Sequence, residues 1–341
     1  MTSSKYKNQL TSQDNINNTL LPAGFYDLLF FEAKKNHQDI NKILEGFFAK
    51  DFNLIKTPLL EFEENFNNDK NFSATSNLCF RSIDNISAKG LILRSDITLQ
   101  IKRLLNTRLQ DAILPLKLCY VGDVFRTHTD ELYGDRQQTQ IGCEIIGDDS
   151  DDADFIIIET TLQALLNLGL NNLTINFCLA DFLIIFVNEL PIDSRVKEQL
   201  IKIISQKNLS EIKILVPQHY NLIKEIILNN HDFFELVKLL EINFSSLLIS
   251  KQILKIKKIH NFINDKFPKI TTCFTMFSDA STQYHHSLAF DIFYDNFIYP
   301  IAVGGRYKIT TLNKIFQAVG STIYMNHLRK IDIRNNSNLT K

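Results

Sequence analysis

The stretches LKLCYVGDVFR (residues 116–126) and RQQTQIGCEIIG (residues 136–147) alternate in side-chain character along their length, and a largely polar segment from Thr127 to Asp135 joins them. Alternation with period two predicts two strands of a long-looped antiparallel hairpin. In the second strand Arg136, Gln138, Gln140, Gly142 and Glu144 share one face, and Gln137, Thr139, Ile141, Cys143 and Ile145 share the other. The first face is polar throughout, and its glycine leaves room for something to approach. Gln140 and Glu144 on one face suit a small polar ligand lying between them, and alternation alone equally suits a solvated hairpin face. Six of the ten arginines lie between Arg81 and Arg136. Guanidinium forks in that third of the chain fit an anion-binding pocket, or ion pairs with neighbouring acids.

Outward from the hairpin, the chain has 341 residues and a formal charge of −1, which excludes the broad basic field of a non-specific nucleic-acid binder. The five cysteines are scattered without a C-x-x-C pair, which predicts free thiols in a reducing compartment and no zinc cluster. Residues 1–19 read as a flexible lead-in without an apolar leader, and no uncharged apolar run is long enough to span a bilayer, so a soluble cytoplasmic protein is expected. Upstream, a helix is predicted from Glu32, a strand at Leu91–Arg94, and a second helix opened by Ser95-Asp96. Downstream, the acidic patch Asp148–Asp154 precedes a helical run. Its spacing is not that of a calcium loop, and acids at a helix N-terminus are favoured by the macrodipole. Residues 179–262 read as a mainly helical insert. Strands return at Thr271–Phe277, Ser287–Tyr294 and Phe297–Val303, and the last helix ends near Ile331 with 332–341 as a disordered tail. This order predicts an α+β core formed by 20–178 and 263–331.

The common phosphate cradles and the hydrolase elbow are missing, since no G-x-x-x-x-G-K-[ST], strand-following G-x-G-x-x-G or G-x-S-x-G occurs. His285 and His286 would point to opposite faces of a strand and cannot ligate one metal together. Gly304-Gly305 fits either a close ligand approach or a tight corner.

Taken in order, several segments resemble those of histidyl-tRNA synthetases and their relatives: Leu21-Pro22-Ala23-Gly24-Phe25-Tyr26-Asp27, then Leu93-Arg94-Ser95-Asp96-Ile97-Thr98, then Gly122–Arg126 with Arg136–Glu144, then Tyr284-His285, Gly304-Gly305-Arg306-Tyr307 and Ala318-Val319-Gly320. The resemblance covers roughly residues 20–330 apart from the helical insert. It implies a class II aminoacyl-tRNA synthetase-like fold, an antiparallel sheet flanked by helices. It also implies a histidine pocket in which Asp96 and Thr98 hold the α-amino group with help from Gln140. Arg126 would neutralise the α-carboxylate, Glu144 would accept from the imidazole, and Tyr284 and His285 would wall the ring.

Two branches of that family differ in whether histidine is activated with ATP. Adenylation needs fixed cations at the α-phosphate. No arginine lies between Arg195 and Arg306 and no lysine between Lys269 and Lys308, so Ala280 stands at the expected arginine. Further on, Tyr324 replaces a glycine and His327 the ATP-supporting arginine. The resemblance therefore implies the non-catalytic branch, the regulatory subunits of ATP phosphoribosyltransferase. No cofactor or metal is implied. The expected partners are a short-form catalytic subunit, a second copy through the synthetase-like core, and L-histidine as effector, with neither tRNA nor membrane. A minimal histidyl-tRNA synthetase and a free-standing histidine sensor are the alternatives.

Overall fold

The computed structural model describes residues 20–66, 76–128, 134–229, 232–277, 287–311 and 314–338, without the side chains of 333–338. The expected lead-in at 1–19 lies outside the described residues, as do Ala280, Tyr284 and His285. Among the described residues the strands are β1 (Asn53–Ile55), β2 (Leu60–Phe62), β3 (Arg81–Ile83), β4 (Gly90–Leu93), β5 (Leu116–Phe125), β6 (Gln137–Ile146), β7 (Leu173–Leu179), β8 (Thr271–Phe274), β9 (Leu288–Tyr294), β10 (Ala302–Thr310) and β11 (Ile315–Tyr324). Eight form one sheet in the order β1-β5-β6-β11-β10-β9-β7-β8, and β2-β4-β3 form a small second sheet. The large sheet is antiparallel through its centre, with a parallel pair at each edge, β1 with β5 and β7 with β8. This is the class II synthetase-like α+β fold, and the edge pairs make the sheet mixed.

Helices α1 (Phe30–Phe48), α2 (Thr98–Asn106) and α3 (Asp151–Asn167) cover the sheet. The large core joins α1 and α3 to the face bearing Ile141, Cys143 and Ile145. A smaller core on the other face joins α2 to Leu118, Tyr120, Ile146 and Tyr307. Both faces are thus covered, and Gln138, Gln140 and Glu144 are buried rather than solvated.

Between β7 and β8 run α4 (Phe182–Glu189), α5 (Ser194–Ser205), α6 (Leu209–Leu215), α7 (Tyr220–Leu228), α8 (Phe233–Asn243) and α9 (Leu247–Lys266). Asp193, Asn208, Asp232 and Ser246 cap α5, α6, α8 and α9 by accepting from backbone N–H groups of the first turn. In α9 the buried Ile249, Ile253, Ile256, Ile259 and Ile263 recur at helical spacing and seal the helix onto the large core.

The acidic patch is the start of α3. Ser150 is its N-cap, Asp151 pairs with Lys258 at 2.7 Å, and Asp154 is buried beside Arg306. Several boundaries differ from the sequence expectation: the strand expected at Thr271–Phe277 ends at Phe274 and the helix expected from Glu32 starts at Phe30. Helix α10 (Met325–Asn338) runs past Ile331 into the residues expected as a disordered tail. That stretch has no glycine or proline to stop it, and Asp332 pairs with Lys35 of α1 at 2.7 Å. The expected strand at Phe297–Val303 begins only at Ala302, because Pro300 lacks a ladder donor and its carbonyl is taken by His327 at 2.6 Å.

Candidate functional site

The candidate site rests on four neighbouring strands whose register brings distant residues onto one face. Tyr120 of β5 lies opposite Gly142 of β6, which lies opposite Thr322 of β11. Glu144 lies opposite Gly320, and Ala318 lies opposite Tyr307 of β10. The room left by Gly142 is filled from within the protein: a Cβ there would overlap the Tyr120 ring and sit 2.7 Å from the Ser321 carbonyl. The Tyr120 hydroxyl stands 2.9 Å from Thr322 Oγ1 and 3.4 Å from Thr98 Oγ1.

Glu144 is the centre of this group and is 2 % exposed. Thr98 Oγ1 donates to one carboxylate oxygen at 2.8 Å, and the Tyr307 hydroxyl donates to the other. Burial pushes the Glu144 carboxyl up from 4.5 to about 7, against the hydrogen bonds from Tyr307 and Thr98, with the Asp96 charge adding to the rise. A carboxylate offers about four acceptor positions, so acceptor capacity remains for an N–H donor such as an imidazole.

Nearer the mouth, Asp96 Oδ1 accepts the backbone N–H of Thr98 at 2.8 Å, which orders the start of α2, and Gln140 Nε2 reaches Asp96 Oδ2 at 3.5 Å. Gln140 Oε1 is buried without a hydrogen-bond partner. Arg126, just past the end of β5, donates to the Ser95 carbonyl at 3.4 Å. Asp96, Thr98, Gln140 and Glu144 are thus linked by direct contacts, and Arg126 reaches the backbone beside them at Ser95.

Other arginines of the cluster are committed elsewhere. Arg81 pairs with Glu63 at 2.9 Å and Arg103 with Glu61 at 2.8 Å. Arg94 is buried, donating to the Asp123 carbonyl at 2.6 Å and to the Thr57 carbonyl at 3.0 Å. Arg136 lies over the rings of Phe25 and Phe80, at 5.4 and 4.9 Å from their centroids. Arg126 is the arginine of that group whose contact lies next to Asp96, at the Ser95 carbonyl.

The end of the pocket near Tyr324 is furnished differently. Tyr324 is in register with Gln140, and its ring centroid is 5.3 Å from that of His327. His327 is 2 % exposed, packed among Phe297, Tyr299 and Tyr324, with Nδ1 on the Pro300 carbonyl. Arg329 lies 3.7 Å over the Tyr26 ring and 3.8 Å from Asp135. Sequence reasoning missed Tyr120, Tyr307 and Thr322 as pocket residues. Tyr307 stands in a segment that carries the resemblance, while Tyr120 and Thr322 meet only through the register of strands about two hundred positions apart.

The Glu144 carboxyl holds a proton in the folded chain that the unfolded chain releases near pH 4.5. Stability therefore declines as pH rises from about 4.5 to about 7 and levels off above that, by roughly 3 kcal/mol from this group. Asp291 of β9, raised to about 6 by burial, adds a decline of the same sign. Urea midpoints from pH 5 to pH 8 measure the slope, and a midpoint that rises over that range contradicts it.

Polar side chains gathered on the antiparallel centre of a sheet covered by helices, beside the N-terminus of a short helix, define a class II aminoacyl-tRNA synthetase-like domain. The family model described as histidyl-tRNA synthetase matches residues 24–328, and the chain belongs to that family. Its curated relatives include an ATP phosphoribosyltransferase regulatory subunit from Acetivibrio thermocellus, 29 % identical over 89 % of this chain and 74 % of that protein. A protein of the same description from Clostridium kluyveri is 34 % identical over 58 % of this chain, and the match spans only half of that protein. Among solved structures, a chain of the ATP phosphoribosyl transferase complex from Thermotoga maritima shares the fold, with a TM-score of 0.66, 18 % identity, and coverage of 85 % of this chain and 97 % of that one.

Proposed function

We propose that this chain is a non-catalytic regulatory subunit of ATP phosphoribosyltransferase. It binds free L-histidine without activating it and conveys histidine feedback to a short-form catalytic partner at the first step of histidine biosynthesis. The observation that carries this is the unequal furnishing of the pocket. Asp96, Thr98, Gln140 and Glu144 are in mutual contact with Arg126 beside them, which supports an amino-acid end, whereas His327 is packed against a carbonyl and Arg329 is held by Tyr26 and Asp135. A histidine imidazole would donate to Glu144, its α-amino group would meet Asp96 and Gln140, and its carboxylate would meet Arg126. Tyr284 and His285 would wall the ring. The names carried by the curated relatives agree with this role. Histidine acts by binding two states of the assembly with different affinities, so occupancy shifts their populations. A second copy of the chain through the synthetase-like core completes the hetero-oligomer, and neither tRNA nor membrane takes part.

The test is a mixed assay with a purified short-form catalytic subunit. Adding this chain raises phosphoribosyl transfer and makes it sensitive to histidine, while the chain alone shows no histidine-dependent pyrophosphate–ATP exchange. Sustained exchange would make it a synthetase, and an unaltered partner activity would leave it a histidine sensor for something else.

A further inference from the structure

Helix α9 reaches the strand that supports the pocket through a buried ionic cluster. Lys255 Nζ lies 3.3 Å from one carboxylate oxygen of Asp154 and donates to Ser287 Oγ at 2.7 Å. Asp154, 1 % exposed in the first turn of α3, has its other oxygen 2.6 Å from Arg306 Nε. Arg306 also donates to the carbonyls of Asp148, at 3.1 Å, and Ser150. One carboxylate therefore holds two cations that come from different parts of the chain. Taking away Asp154 would leave two cations without their shared counter-charge, whereas taking away Lys255 leaves the Arg306–Asp154 pair but breaks the link to α9.

Arg306 is followed on β10 by Tyr307, and successive side chains of a strand leave on opposite faces. Arg306 is anchored beneath the sheet against α3, and Tyr307 donates to Glu144 above it. A shift of the anchored side chain would reach the tyrosine hydroxyl through the one peptide that joins the two residues, in a stretch of β10 paired with β11 alone, since its pairing with β9 ends at Gly305. The second hand of Lys255 acts on the neighbouring strand. Ser287 sits at φ 73°, a left-handed backbone conformation costly for a residue with a side chain, and it immediately precedes β9, which pairs with β10 at Ala289 and Gly305.

We propose that Lys255, Asp154 and Arg306 are positioning residues that set Tyr307 against Glu144, and that the helical segment α4–α9 thereby tunes ligand affinity in the pocket. The inference rests on the histidine-binding role proposed above. Linkage makes the effect reciprocal, so ligand in the pocket alters the free energy of whatever engages that helical segment.

The experiment uses the full chain carrying Lys255→Met, Lys255→Arg or Lys258→Met. The last removes the exposed pair with Asp151 and serves as control. Histidine affinity by calorimetry is expected to fall roughly tenfold in Lys255→Met, within the range by which residues along a coupled network act. It returns to within about threefold of the parent in Lys255→Arg and is unchanged in Lys258→Met. Without ligand, hydrogen exchange across Ala302–Thr310 is faster in Lys255→Met alone. If Lys255→Met does not fold, Lys255→Gln replaces it. Unchanged histidine affinity in folded Lys255→Met, or in Lys255→Gln where that replaces it, overturns the inference whatever exchange does. If the parent chain binds no histidine, the functional proposal fails instead, and exchange in β10 decides the coupling by itself.

Discussion

Replacing Glu144 with glutamine weakens histidine binding by about 2–4 kcal/mol, at least about 30-fold in dissociation constant. The carboxylate already accepts from Thr98 and Tyr307, one donor on each oxygen, and a bound imidazole adds a third. Glutamine keeps the shape but turns one oxygen into an NH₂ group. That group faces a hydroxyl donor, so a buried donor loses its partner or the ligand does. Titration calorimetry with free histidine at pH 8 reads the loss directly. The same variant separates binding from folding, because a neutral amide removes the cost of burying a charge. Its stability above pH 7 should match or exceed that of the parent, and its decline between pH 5 and pH 7 should be shallower. An affinity within threefold of the parent would remove Glu144 from the ligand site.

Replacing Arg94 with methionine destabilises the chain by about 3–5 kcal/mol, read as a lowered urea midpoint. The guanidinium is 6 % exposed and donates to the carbonyls of Asp123 and Thr57 and to Thr57 Oγ1, the last two both at 3.0 Å. Gln100, which accepts from Thr57 Oγ1 at 2.5 Å and donates to Glu61 at 2.9 Å, extends this network to Arg103. Methionine fills the volume of the stem but leaves those carbonyls buried without donors. Gly122 belongs to the same arrangement, since a Cβ there would overlap the Arg94 guanidinium. Gly122→Ala should therefore also be strongly destabilising, and its effect should not add to that of Arg94→Met because both disrupt one contact. A loss below 1 kcal/mol in Arg94→Met would show that water replaces the guanidinium.

The hairpin and the division of its second strand into two faces were legible from alternation, because side-chain direction in a strand depends on position alone. Whether the polar face met water was not legible. Its cover comes from Thr98, Tyr120, Tyr307 and Thr322, brought together by strand register rather than by proximity in sequence. The arginine cluster was visible as composition, yet its members divide by tertiary partner: Arg94 beneath Gly122, Arg136 against two phenylalanine rings, Arg126 at the pocket. The gap at Gly142 read as space for a ligand, and Tyr120 fills it. The last helix ran long because polar composition weakens a helix without ending it. The motifs of the amino-acid pocket came through resemblance, a signal independent of these local rules.

A parallel edge pair cannot be closed by a tight turn, so the chain leaving β7 had to travel some distance before it could return as β8. Six helices occupy that obligatory detour. Extra mass placed there does not disturb strand order elsewhere in the sheet, which makes the detour a natural port for exchange. Transplanting the block from a relative into this scaffold should preserve the scaffold, while a donor block lacking a lysine at the position of Lys255 would bring the architecture without the ionic contact to Asp154.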